Sequence, residues 1–212
     1  HISAVLSGFS RATGSRKDAS GLLLAPGNGH MVVTAGAMDQ SDPPIEIIQR
    51  YEKEIREEVV ARLGSRMNEV SVQVATIFPN FSVSRGTSRT LRIWQPRGPK
   101  NVEVWSGQFV DSAAPADVKD AFRLAGLRSF GPGGVLEQDD VDNWRECTHT
   151  GQGIVTRRYP VNMQMGVGYD SYDESLRAWS SNYRYGESNH RRFYARWADL
   201  MSGTNWDDLP QI

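Results

Sequence analysis

The chain has 212 residues, 24 Lys and Arg against 25 Asp and Glu, 39% hydrophobic and 9% aromatic residues, and a formal charge of −1. That is the length and composition of one ordinary globular domain. No apolar window long enough to cross a bilayer as a helix occurs, so membrane is not an expected partner. Nucleic acid is not expected either, because phosphate recognition leans on clustered Lys and Arg and no basic block is present. The single Cys147 excludes a disulfide scaffold, a cysteine-ligated zinc site and any iron–sulfur cluster held by this chain alone. A cytoplasmic location is the expectation.

The chain opens on His1-Ile2-Ser3-Ala4-Val5-Leu6-Ser7-Gly8, without an initiator Met and with an apolar pattern already running, which reads as a piece of a longer protein. A tag remnant is the other account of His1. Residues 10–20 are small and polar without periodicity and are expected to form a loop. Strands are expected at Leu22–Leu24 and Met31–Thr34, separated by the turn residues Pro26-Gly27-Asn28-Gly29. After Asp42-Pro43-Pro44, the apolar residues Ile45, Ile48, Ile55, Val59 and Leu63 keep helical spacing, which predicts a helix over about 44–64 that stops near Gly64.

Further strands are expected at Val70–Val74 leading into Thr76–Pro79, at Thr90–Trp94 and at Val102–Trp105, the last two joined across the turn 97–101. Their alternation predicts an antiparallel meander with one wet face. A helix is expected over Pro115–Ser129, with Val118, Phe122, Leu124 and Leu127 apolar, followed by the turn Gly131-Pro132-Gly133-Gly134 and an acidic helical segment from Glu137 to Glu146. A strand pair is expected near Ile154–Tyr159 and Val161–Val167, and a last helix carries Phe193, Trp197, Leu200 and Met201. No internal repeat is present. Strands grouped together and flanked by long helices indicate an α+β fold with an antiparallel sheet.

Asp139-Asp140 falls at the start of the acidic helix, just after the glycine turn. Helix N-termini favour carboxylates for capping and dipole reasons, so the pair taken alone allows a structural role as readily as a chemical one. The surrounding residues discriminate. The run Phe130-Gly131-Pro132-Gly133-Gly134-Val135-Leu136-Glu137-Gln138-Asp139-Asp140 resembles the iron-ligand segment of Rieske non-haem iron aromatic-ring-hydroxylating dioxygenases, in the catalytic domain of the large (alpha) subunit. Residues 76–82, 92–99, 102–105, 110–115, 162–166 and 194–202 resemble the same family in the same order.

The resemblance implies a helix-grip (START-like) domain, a curved antiparallel sheet over a long helix, with residues 1–212 as part of the catalytic mononuclear-iron domain. It implies Fe(II) held by two histidines and one aspartate, a facial triad that leaves positions open for dioxygen. Asp140 is then the carboxylate ligand, and His1, whose following run looks like the family's, is the candidate for the second histidine. The first histidine and the Rieske domain with its [2Fe-2S] cluster would lie before residue 1. Glu137, Asp139 and Asp142 are left with two roles, accepting hydrogen bonds from ligand imidazoles or capping the helix. By resemblance, Phe130 and Leu136 line the substrate pocket, and a core-packing role is the alternative for each.

His30, His149 and His190 lack a partner histidine at ligand spacing and read as surface or core residues. Cys147 reads as a small buried residue, and Trp94, Trp105, Trp144 and Trp197 as packing for the core or subunit contacts. The activity implied is cis-dihydroxylation of an aromatic hydrocarbon, polycyclic or biaryl, with O2 and with electrons from NADH through a reductase and ferredoxin. The implied assembly is α3β3, with a small (beta) subunit, or α3. A Rieske-type monooxygenase or demethylase, and a metal-free helix-grip domain that binds a hydrophobic ligand, are the alternatives.

Overall fold

The computed structural model describes residues 21–34, 43–64, 72–85, 88–183 and 185–209. The readings placed on His1, on the loop 10–20, on Asp42 and on residues 70–71 lie outside the described residues. The first two strands, β1 (Leu23–Gly27) and β2 (His30–Thr34), form a hairpin whose two turn residues, Asn28 and Gly29, have φ of 48° and 78°. Two successive positive φ values match the twist of the flanking strands, which is why Asn-Gly serves here.

Six further strands follow: β3 (Val72–Ile77), β4 (Phe81–Ser84), β5 (Thr90–Pro96), β6 (Val102–Gln108), β7 (Asp170–Asp173) and β8 (Ala178–Ser181). Among the described residues they make one sheet in the order β6-β5-β4-β3-β2-β1-β8-β7, every neighbour antiparallel. With the described α-helices, α1 (Pro43–Glu54), α2 (Arg56–Leu63), α3 (Ala116–Ser129), α4 (Glu137–Thr150) and α5 (Ser188–Met201), the fold is the expected α+β, helix-grip-like arrangement. No described helix is long and apolar enough to cross a membrane.

The helix expected over 44–64 is bent into α1 and α2 at Ile55, although i→i−4 bonds run through the bend from Ile55 to Tyr51 and from Val59 to Ile55. The buried face explains the division: Ile45, Ile48 and Tyr51 of α1 are covered, whereas α2 has no buried residue. Ile48 and Tyr51 pack against Val118, Ala121 and Phe122 of α3, and Phe122 is wholly buried. The Arg89 guanidinium lies 3.9 Å from the Phe122 ring centroid and donates to Glu52 Oε1 at 2.8 Å, which joins the start of β5 to both helices. Gly126 of α3 lies where a Cβ would collide with Gln108 at the end of β6, and the Gln108 amide donates to the Phe122 carbonyl. α5 lies on β1 and β2, with Asn189 Nδ2 donating to Val32 O at 3.1 Å.

The strand pair expected at Ile154–Tyr159 and Val161–Val167 is not formed. Its apolar residues are solvated, with Ile154 75% and Val161 79% exposed, and the backbone closes locally in turns and a 3-10 helix at Thr156–Arg158. The sheet is extended instead by the polar β7 and β8, whose sequences carry little apolar alternation. Cys147 is exposed rather than buried, because it lies on the solvent side of α4. Trp105 and Trp197 are 61% and 50% exposed and lie outside the core of the described residues.

The Tyr51 hydroxyl donates to Asp111 Oδ2 at 2.8 Å, and burial together with this bond pushes the phenol from its ordinary value of 10 up to about 12. A raised pKa means that the folded state holds the proton more tightly, so this contribution is whole below pH 10 and is lost as pH rises towards 12. Tyr51→Phe is therefore expected to lose less stability than the parent across that window, measured by urea unfolding at a series of pH values; equal losses would contradict the linkage.

Candidate functional site

The glycine turn between α3 and α4 doubles the chain back on itself. Gly131 N–H bonds Gly126 O at 2.8 Å, Val135 N–H bonds Arg128 O at 3.1 Å, and Leu136 N–H bonds Ser129 O at 3.0 Å. At Gly134 any Cβ would run into the Ser129 carbonyl, so the turn can close this tightly only with glycine there. The buried Leu136 anchors the turn and is also the N-cap of α4, where no side-chain capping bond forms. Glu137, Asp139 and Asp140 then occupy the first turn of α4, where the positive end of the helix dipole favours carboxylates.

β5 meets this turn with two side chains. Arg92 and Trp94 are two residues apart on the strand and so share one face. The Arg92 guanidinium forms a salt bridge with Glu137, and the two side chains are only 11% and 16% exposed. Three rings surround the same guanidinium: Phe130 at 5.0 Å, Trp94 at 5.9 Å and Trp144 at 6.0 Å from centroid. Trp94 packs edge-on against Trp144 of α4 at 5.1 Å between centroids and donates Nε1–H to Ser82 Oγ at 2.9 Å.

Burial holds the Asp140 carboxyl above the usual carboxylate range; Arg92 draws it back down, and neighbouring Asp139 pushes it further up. Glu137 is raised in the same way by burial, opposed by Arg92 and reinforced by Asp140. Half-buried carboxylates beside like charges are what a cation relieves, so Asp140 fits the role of an anionic metal ligand. Among the described residues it is not joined by other ligands: no group of three His, Cys, Asp or Glu is placed to hold a metal ion. Of the other histidines, His30 accepts the Phe78 N–H through Nδ1 at 3.0 Å and so braces the sheet. His149 and His190 are exposed.

Phe130 is half-buried under Arg92, and Leu136 is buried. A groove of about 550 Å³ runs between β6 and α4, lined by Val102, Val104, Val141 and Trp144 among others; neither Phe130 nor Leu136 lines it. Glu137, for which an imidazole partner or a capping role was expected, is bonded to Arg92. Sequence reasoning missed Arg92. Its signal was present, since Arg92 alternates in phase with Trp94 and thus places a charge on an inward face.

The fold and the acidic turn define a class. The sequence pattern of the ring hydroxylating alpha subunit (catalytic domain) family matches residues 25–203, and the chain belongs to that family. Among curated relatives, chlorobenzene dioxygenase subunit alpha of Cupriavidus sp. (strain PS12) is 39% identical over 155 residues, which cover 72% of this chain and 34% of that one. Biphenyl 2,3-dioxygenase subunit alpha of Rhodococcus jostii (strain RHA1) is 38% identical over 155 residues, with the same coverage. The chain thus spans about a third of the length of the curated relatives it matches.

A solved naphthalene 1,2-dioxygenase with indole in its active site superposes with a TM-score of 0.83 at 23% identity, over 98% of this chain and 49% of that one, and supports the fold. The naphthalene 1,2-dioxygenase of Rhodococcus sp. bound to indole gives 0.72 at 28% identity, over 95% and 50%.

The contact of Trp94 with Trp144 is testable by itself. A double-mutant cycle with Trp94→Leu and Trp144→Leu, read by urea unfolding, is expected to give a coupling of about 0.5–1.5 kcal/mol, the range for edge-to-face aromatic pairs. Strictly additive losses would mean that the rings do not tie α4 to β5.

Proposed function

We propose that the chain is the catalytic part of the large subunit of an aromatic-ring dioxygenase, with Asp140 and His1 as two of the three protein ligands of a mononuclear Fe(II). The observation that supports this most strongly is the family match over 25–203, taken with the half-buried carboxylate of Asp140 in the first turn of α4. When bound, ferrous iron in a two-histidine, one-carboxylate triad keeps positions open for dioxygen beside the substrate. The first histidine and a Rieske [2Fe-2S] cluster would belong to chain outside these 212 residues, since the matched stretch covers only 34% of the relative's length.

The reaction adds both atoms of O2 to adjacent ring carbons and gives a cis-dihydrodiol. NADH and a proton supply the two reducing equivalents, through a reductase and a ferredoxin. The protein groups described here do little acid–base work. Asp140 supplies anionic charge, Leu136 and the glycine turn fix where α4 begins, and Phe130 and Leu136 present apolar walls that orient a ring and exclude water. The working assembly is α3β3, with a small (beta) subunit, or α3, in the cytoplasm. Its substrate is an aromatic hydrocarbon, with two-ring or larger molecules favoured because Leu136 leaves more room than an aromatic side chain would.

Asp140→Ala in the full-length protein is expected to abolish mononuclear iron binding and turnover while the fold stays intact, because a methyl group cannot replace an anionic ligand. Iron analysis alongside circular dichroism checks this, and unchanged iron content would sink the assignment.

The pocket walls make a separate prediction. Reshaping an apolar wall changes binding by only about 1–3 kcal/mol, so Phe130→Val and Leu136→Phe should shift the ratio of dihydrodiol regioisomers from a polycyclic substrate, read per mononuclear iron bound. Product chromatography giving the parent's ratio for both variants would remove these residues from the pocket.

A further inference from the structure

We infer that Arg92 is a positioning residue for Asp140: through its buried bond to Glu137 it fixes the first turn of α4 against β5, and with it the direction in which the Asp140 carboxylate points. The inference rests on the reading of Asp140 as the iron's carboxylate ligand.

α4 carries Asp140 on a helix that lies against the sheet without entering the core. None of its 14 residues is buried, so apolar packing of the helix itself does not set its place on the sheet. Leu136 pins the residue before it, and β5 then holds it at two points, Arg92 to Glu137 and Trp94 to Trp144. Glu137, Asp140 and Trp144 stand at i, i+3 and i+7 and so fall on one face of the helix. Asp140 therefore lies between the two ties. A rotation or slide of α4 that moved its carboxylate would have to break one of them.

The chemistry of the first tie points the same way. Burying a charge pair is expensive, and an apolar pair of similar volume would bind helix to strand at least as well. What an arginine pair adds is direction: Arg92 Nη2 donates to one oxygen of Glu137, Oε2, and Phe130, Trp94 and Trp144 lie around the guanidinium and restrict its movement. Its charge also acts on Asp140 itself, opposing the effect of burial there. One buried arginine thus neutralises the carboxylate beside the proposed ligand and orients the helix that carries both. Residues that orient metal-bound side chains change metal affinity by about 10–100-fold when lost.

The test uses the full-length protein with Arg92→Gln, Glu137→Gln and the double variant, and Asp140→Ala as the benchmark. Mononuclear iron is counted as total iron less the cluster iron given by acid-labile sulfide. Its release to a chelator is timed, and the ligand-field bands of the ferrous site are recorded by magnetic circular dichroism. Each single variant is expected to release iron about 10-fold faster than the parent and to shift the ligand-field bands. The double variant should be no faster than the quicker single, because both substitutions break one bond.

Glu137→Gln is nearly isosteric and keeps the test available should Arg92→Gln fail to fold. Parent-like release and unshifted bands in the folded single variants, with Asp140→Ala devoid of iron, would overturn the inference and leave the ligand assignment standing. Additive acceleration in the double variant would overturn it too. Iron retained by Asp140→Ala would overturn both.

Discussion

The junction between β5 and the first two turns of α4 is the constraint on which the candidate site depends. β5 lies one strand in from the edge of the sheet, paired on one side with β4 and on the other with β6, so its Arg92 and Trp94 project from a backbone held on both sides. α4 has no buried residue. The rigid partner is the strand, the dependent one is the helix, and the residue with the proposed chemistry is on the dependent one. Side chains that must be held accurately gain from neighbours whose own positions are locked by packing and hydrogen bonds, and that is the arrangement here.

Electrostatics explains why the junction takes the form it does. The turn gathers Glu137, Asp139 and Asp140 within four residues and half-buries all three, and burial alone would push Glu137 and Asp140 towards their neutral forms. Arg92 opposes that shift at both Glu137 and Asp140. The turn is therefore not a solvated acidic patch. It is an anionic site in which Arg92 supplies part of the compensating charge, and an added divalent cation would relieve more of it.

Much of this was legible in the sequence, for physical reasons that can be named. The Asn28-Gly29 hairpin, the alternating β5 and β6, and α3 with its terminating glycine turn all carry local signals whose period or turn chemistry the tertiary structure does not override. The acidic start of α4 was visible as a cluster just after a tight turn, and its order among the neighbouring motifs pointed to the family. The failures share one cause. Ile154, Val155, Tyr159 and Val161 have the residue types of a strand and remain exposed, while β7 and β8 are polar and pair all the same, because sheet membership depends on which backbone edge is available as well as on composition. Cys147 was misplaced because α4 has no buried residue, so even its small apolar positions stay in water. Arg92 was overlooked because a charged residue on an inward strand face shows its purpose only once its partner, 45 residues away in sequence, is seen beside it.

The claim at the centre of this account is that the head of α4 is where the protein presents its metal-binding carboxylate. Anomalous diffraction at the iron absorption edge, from crystals of the full-length protein, tests it most directly. The account predicts an isolated iron peak within bonding distance of an Asp140 carboxylate oxygen, with imidazole nitrogens completing the protein's share of the ligands and the Arg92–Glu137 bond intact behind it. An iron peak held by other residues, with Asp140 facing solvent or paired only with protein groups, would contradict it.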